Sequence, residues 1–176
     1  HHVLSPAPIT RPVGAALRSL RMRYRICKAF EFEGGHMLSK HPGRCRLPHG
    51  HSRRVEIVLS SETLDACDMV CDFKALKLAV GRMIDRYDHA MVVNAQDPAI
   101  QALKAAGIAG RVEAFIGEDP TTEVIARRIY EGVSEIVREQ RTLTDEDGVS
   151  YTLPHGLVVE RVRVTETPTS WAEYGP

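Results

Sequence analysis

The stretch "MRYRICKAFEFEGGH", residues 22–36, decides the architecture. Tyr24, Ile26, Lys28, Phe30 and Phe32 recur at every second position. In extended backbone such residues share one face, so the period predicts a β-strand buried on one side. Gly34-Gly35 predicts a bend just before His36. Residues 37–48, with Pro42, Gly43, Pro48 and several charges, read as a loop. "HSRRVEIVLS" (51–60) alternates Val55, Ile57 and Leu59 and predicts a second strand.

The period then changes. Phe73, Leu76, Val80 and Ile84 recur at helical spacing after Asp72, a residue type that caps helix N-termini. A second helix is predicted from "EDPTTE" (118–123), with Asp119 as cap, Pro120 in the first turn, and Val124, Ile125, Ile129, Val133, Ile136 and Val137 as its apolar stripe. Between them, residues 95–118 are rich in Ala and Gly and read as a connection holding a short helix. "HGLVVERVRVTE" (155–166) carries Val158, Glu160, Val162 and Val164 in alternation, and "SWAEY" (170–174) reads as a last short strand. The order ββααββ predicts an α+β fold: a four-stranded antiparallel sheet with two helices on one face.

With 176 residues the chain suits one domain, read as 21–176 behind an irregular N-terminal arm over 1–20. His1 and His2 read as tag-derived and stay outside the metal reasoning. Lys plus Arg (23) balances Asp plus Glu (23), so no basic face marks a nucleic-acid binder. No apolar run is long enough to span a membrane. Four cysteines, 27, 45, 67 and 71, are too sparse for a disulfide-stapled secreted domain, and a reduced cytoplasmic setting is expected.

"CRLPHGHS" (45–52) carries the chemistry. His49 and His51, two apart at the start of a strand, project to one side and can converge on one ion. His36, ending the paired strand, supplies a third imidazole. Three neutral histidines leave a tetrahedral zinc with one open position, the arrangement of catalytic zinc. Cys45 reads either as a fourth ligand or as a thiol kept for proton transfer. Cys67 and Cys71 read as small apolar residues near a helix start. Asp88 beside His89 is a candidate proton-managing pair, since a carboxylate can fix a histidine's tautomer.

"FEFEGGHML", "CRLPHGHS", "MVCDFKALK", "YDHAMVVN", "DPTTEVIARRIY" and "VRVTETPTSWAEY" stand in the order seen in the 6-pyruvoyltetrahydropterin synthase family, which includes bacterial 6-carboxytetrahydropterin synthases of queuosine biosynthesis. The chain resembles that family over residues 23–174. The resemblance implies the tunnelling fold, with sheets of several subunits joined into a barrel, in a homohexamer or a tetramer. It implies Zn2+ on His36, His49 and His51, a catalytic Cys45, and a relay through Asp88 and His89 reaching in from a neighbouring subunit. It also implies a pterin-binding Glu166, with Thr121, Thr122 and Glu123 beside the pterin pocket. Three residues, Arg46, Leu47 and Pro48, separate Cys45 from His49, the spacing of the bacterial carboxy enzymes rather than the longer one of animal pyruvoyl enzymes. Two positions depart from the family pattern: Arg53 stands where an aromatic residue is usual, and Ala90 where a second histidine is common.

The implied activity is conversion of 7,8-dihydroneopterin triphosphate to 6-carboxy-5,6,7,8-tetrahydropterin, with release of acetaldehyde and triphosphate. Lys28, Lys40, Arg44 and Arg46 are candidate triphosphate contacts. Three other readings stay open: formation of the pyruvoyl product, zinc hydrolysis of another ring substrate, and a non-catalytic zinc- or pterin-binding module.

Overall fold

A computed structural model describes residues 22–107 and 109–176; the expected arm, residues 1–20, lies outside the described residues. Two long strands, β1 (Tyr24–His36) and β2 (His49–Ser61), pair antiparallel in continuous register from Tyr24 opposite Ser61 to His36 opposite His49. The expected bend at Gly34-Gly35 is absent: both glycines stay in the ladder, opposite His51 and Gly50. A Cβ on Gly50 would lie 3.2 Å from the Gly34 carbonyl oxygen, so the small residue lets the two backbones close up beside the histidines.

Helix α1 (Phe73–Asp85) follows, capped by Asp72, whose side chain accepts the Lys74 N–H at 2.6 Å. Then come β3 (Ala90–Asn94), α2 (Ala99–Ala105), β4 (Val112–Phe115) and the long helix α3 (Thr122–Glu139). A small hairpin, β5 (Thr142–Thr144) with β6 (Ser150–Thr152), precedes β7 (Val158–Thr167) and β8 (Ser170–Tyr174).

The sheet is larger than expected and mixed. Its order is β4-β3-β1-β2-β7-β8. The four strands read from the sequence form its antiparallel part, and β3 and β4 extend it as parallel additions. β3 pairs only with Gly34–His36, so the earlier part of β1 has no strand on that side among the described residues. Among the described residues there are three α-helices rather than two, α2 being the short one expected in 95–118.

The even positions of β1 and the odd positions of β2 make the buried face. Phe32, Val55, Ile57, Leu59, Val162 and Val164 lie under Leu76, Val80 and Ile84 of α1 and Ile125, Ile129 and Val133 of α3. Each such aliphatic side chain contributes roughly 1.5–3 kcal/mol by leaving water. Phe73, counted on the α1 stripe from sequence, is 49% exposed and outside this core.

On β7 the expected alternation slips by one. A β-bulge puts Val159 opposite Leu59 and Arg161 opposite Val58, so Glu160 is the extra residue. Val159 is therefore buried and Val158 exposed, because one inserted residue exchanges the faces. The α3 cap also differs: Thr121, not Asp119, caps the helix by accepting from Val124 N. Asp119 is buried and ties a loop instead, as described below. Among the described residues no helix is long and apolar enough to cross a membrane.

Candidate metal centre and active site

The buried face of the sheet runs out of apolar residues at one end, and the site begins there. Along β2 the inward series Leu59, Ile57, Val55 continues as Arg53, His51 and His49. On β1 Phe32 is followed on the same face by Gly34 and His36, and on β7 Val164 is followed by Glu166. One period-two pattern thus builds both core and site. Gly34, lacking a side chain, stands opposite His51.

The three rings converge. Their centroids are 4.4 Å (His36–His49), 5.1 Å (His36–His51) and 5.2 Å (His49–His51) apart. His36, His49, His51 and Glu166 each offer one ligand atom, and these lie within 4.8 Å of one another. His36 Nδ1 is 2.8 Å from the Pro120 carbonyl oxygen, and His49 Nδ1 is 2.8 Å from that of Leu47. A carbonyl only accepts, so both Nδ1 atoms carry the proton and both Nε2 atoms keep a lone pair, that of His36 lying 3.5 Å from Arg53 Nη2. Metal-binding histidines are oriented in this way.

Burial lowers the His36 pKa to about 4, against a partial upward pull from the Pro120 contact, so the ring is neutral at neutral pH. His51 is lowered as well, first by burial. Its Nε2 is buried, lies 3.1 Å from Glu166 Oε1, and makes no hydrogen bond there. An orphaned ring nitrogen facing a carboxylate beside two imidazole lone pairs fits a divalent cation. The N3O donor set suits zinc among the common metals.

Glu166 is the extra residue of a second irregularity, where Thr165 pairs with Trp171 and Thr167 with Ser170. Bulges commonly re-aim a side chain next to a site. Its Oε2 lies 2.8 Å from Arg53 Nη1 and accepts a hydrogen bond from the Thr122 hydroxyl. Arg53 and Thr122 were not read from the sequence as its partners. The usable signal was a charged residue, Arg53, on the apolar phase of β2.

Cys45 lies in a single 3-10 turn (Arg44–Arg46), half-buried and free, immediately before β2. Its carbonyl accepts from Leu38 N at 3.0 Å. It is outside the four-residue donor group. The loop is held by buried Asp119, which accepts from Ser39 Oγ (2.6 Å), Lys40 N (2.6 Å) and Asn94 Nδ2 (3.0 Å). Burial alone would raise this carboxyl; the three donors overcome it and hold its pKa below the ordinary range.

Asp88 and His89 form the expected pair, with His89 Nδ1 3.0 Å from Asp88 Oδ2. Asp88 also accepts from Glu33 N at 2.9 Å, the leading reason its pKa is lowered, and His89 adds to the effect. His89 adopts φ 50°, an uncommon left-handed turn for a non-glycine residue, and its N–H reaches the Glu33 carbonyl. Its side chain is 72% exposed. Thr122 is buried, Thr121 caps α3, and Glu123 points to solvent from the first turn.

Arg44 and Arg46 flank Cys45, exposed, and Lys40 Nζ reaches the Gly117 carbonyl at 2.9 Å. Lys28 is not near the site. It stands opposite Ile57, and ~3.3 Å per residue places it roughly 26 Å along β1 from His36. Cys71 is buried as read, whereas Cys67 is exposed.

The 6-pyruvoyl tetrahydropterin synthase family model matches residues 25–176. A 6-carboxy-5,6,7,8-tetrahydropterin synthase of Aquifex aeolicus is 31% identical, the match covering 87% of this chain and 98% of the relative. One of the same name from Haemophilus influenzae is 30% identical over 86% and 98%. Among solved structures, an uncharacterized protein from Wolinella succinogenes superposes with TM-score 0.70 at 22% identity, covering 88% of this chain and 98% of that one. The 6-pyruvoyl tetrahydropterin synthase of Plasmodium vivax gives TM-score 0.61 at 16% identity, covering 87% and 97%. At these identities the structural likeness concerns the fold.

Proposed function

Because the chain belongs to the 6-pyruvoyl tetrahydropterin synthase family, we propose that it is a zinc-dependent lyase converting 7,8-dihydroneopterin triphosphate to 6-carboxy-5,6,7,8-tetrahydropterin, with release of acetaldehyde and triphosphate. The observation that carries this reading is the convergence of three imidazoles with Glu166 at the open end of the sheet. The names of the bacterial relatives, and the three-residue spacing from Cys45 to His49, favour the carboxy product, and the proposal places that product in queuosine-type synthesis.

His36, His49 and His51 would hold the metal. Bound there, zinc supplies Lewis acidity to the side-chain oxygens of the substrate. Glu166, paired with Arg53, accepts N–H bonds from the pterin's guanidine-like edge. Thr122 orients that carboxylate, and Thr121 and Glu123 begin the helix beside it. Cys45 moves protons at the substrate side chain as a thiolate. His89, its Nδ1 fixed by Asp88, gives and takes the proton from a neighbouring subunit. Lys40, Arg44 and Arg46 lie on the loop that would meet the triphosphate.

The assembly is a homohexamer, with a tetramer as the other arrangement, in the cytoplasm. Among the described residues β4 and β8 end the sheet, and open edges invite pairing with another copy. The exposure of His89 agrees with a role across such an interface. Mass spectrometry of the products from 7,8-dihydroneopterin triphosphate tests the reaction. The carboxy compound with acetaldehyde supports it; a pyruvoyl product that keeps all side-chain carbons refutes it.

A further inference from the structure

The two carboxylate oxygens of Glu166 face more partners than they can serve at once. Oε2 is committed: Arg53 Nη1 lies 2.8 Å from it, and the Thr122 hydroxyl donates to it. Arg53 is itself fixed. It is 3% exposed, and Nη1 also lies 2.9 Å from Thr122 Oγ1 and 3.2 Å from the Thr165 carbonyl. A carboxylate offers about two lone pairs on each oxygen, so both sites of Oε2 are taken. Oε1 faces the rings, 3.1 Å from the orphaned His51 Nε2 and 3.7 Å from His36 Nε2. Ligands of a tetrahedral zinc, each about 2.0–2.1 Å from the ion, sit roughly 3.3–3.4 Å from one another. The two observed separations bracket that edge, so Oε1 stands where a fourth ligand stands.

The fourth position, expected from the sequence to be open, is thus filled by the chain's own carboxylate. With an ion on Oε1, one lone pair remains on the whole group, against the two that a pair of pterin N–H donors requires. We infer that Glu166 is an exchangeable fourth ligand: it closes the centre while the pocket is empty, and an incoming pterin edge draws Oε1 away and opens the position. The inference rests on the metal and pterin readings above and adds that the two compete for Glu166. The side chain is placed for such an exchange. It is 29% exposed, so a ligand can approach it from solvent. It is also the extra residue of the β7–β8 irregularity, without a cross-strand partner in register. Arg53 and Thr122 hold Oε2 as a pivot while Oε1 moves.

Unsubstituted pterin, which carries the guanidine-like edge but no side chain to reach the metal, separates the two roles. Its affinity is read by fluorescence in the metal-free and the zinc-loaded parent and in Glu166→Gln. Azide is added to the Co2+-loaded proteins as a probe of an open position. Zinc should weaken pterin binding to the parent by about tenfold, and by reciprocity pterin should weaken zinc binding by the same factor. In Glu166→Gln zinc should leave pterin affinity unchanged. Azide should leave the cobalt spectrum of the pterin-free parent unaltered and should perturb that of Glu166→Gln. Pterin affinity equal with and without zinc in the parent overturns the inference. So does an azide response of the pterin-free parent equal to that of Glu166→Gln. If Glu166→Gln does not fold, the coupling between zinc and pterin in the parent decides alone. A parent that takes up neither zinc nor Co2+ refutes the metal reading, and one that takes up metal but no pterin refutes the pterin reading. Either result removes a premise and overturns the inference as well.

Discussion

His36 and His49 face each other across the β1–β2 ladder with ring centroids 4.4 Å apart, each Nδ1 committed to a main-chain carbonyl. Two Nε2 lone pairs are thereby presented beside the orphaned His51 Nε2. Purified protein should carry about one zinc per chain. Since Cys45 is outside the donor group, Cys45→Ala should keep the metal. His51→Ala should weaken zinc affinity by more than about a hundredfold, beyond the cost of losing an outer contact. Metal analysis of the two variants checks this, and zinc lost from Cys45→Ala would make the thiol a ligand.

Binding and chemistry should separate between Glu166 and Cys45. Glu166→Gln leaves pterin N–H groups and Arg53 imperfectly matched, costing roughly 2–4 kcal/mol of binding. It should raise KM more than it lowers kcat, whereas Cys45→Ala should keep pterin affinity and lose kcat by several orders of magnitude. Pterin fluorescence reads the affinities. Normal turnover by Cys45→Ala would remove its assigned role.

Asp119 gives a pH-dependent handle on the loop that carries Cys45. Its folded pKa lies below the ordinary value. The stability it contributes is therefore complete above about pH 4 and is lost as pH falls through the folded pKa. Asp119→Ala should cost about 2–4 kcal/mol at neutral pH, through the donors on Ser39, Lys40 and Asn94 that it leaves unpaired. Asp119→Asn should flatten the acid limb of the stability–pH curve. Denaturant titrations from pH 7 to pH 2 read both effects, and an unaltered acid limb would contradict the assignment.

An active site shared between subunits predicts complementation. Cys45→Ala and His89→Ala chains, each inactive alone, should regain activity when unfolded together and reassembled. About a quarter of sites in a random mixture would combine an intact Cys45 with an intact His89 of a neighbour. No recovery, or a fully active monomer by light scattering, would place the relay within one chain.

The long elements were legible because their periods are long: β1, β2, α1 and α3 each repeat their apolar residues over more than two turns or pleats. So were the three histidines of the donor group, because His49 and His51 continue the inward phase of Val55 and His36 that of Phe32, whereas Glu166 was read only as a pterin contact. β3 and β4 escaped because "AMVVN" and "VEAF" are too short for periodicity to tell a buried strand from connecting chain. The β5–β6 hairpin carried a readable signal in Asp147-Gly148, where Gly148 adopts φ 79°. The β7 bulge was hidden because a valine occupies both Val158 and Val159. Arg53 was visible only as a departure, since its pairing with Glu166 depends on the register of strands far apart in sequence.

Product formation as a function of zinc occupancy tests the central claim most directly. Protein stripped by chelation and reloaded in steps is incubated with 7,8-dihydroneopterin triphosphate, and 6-carboxytetrahydropterin is quantified by mass spectrometry. Yield should rise linearly with bound zinc and level off near about one ion per chain. Full product formation by the metal-free protein would contradict a centre built on His36, His49 and His51.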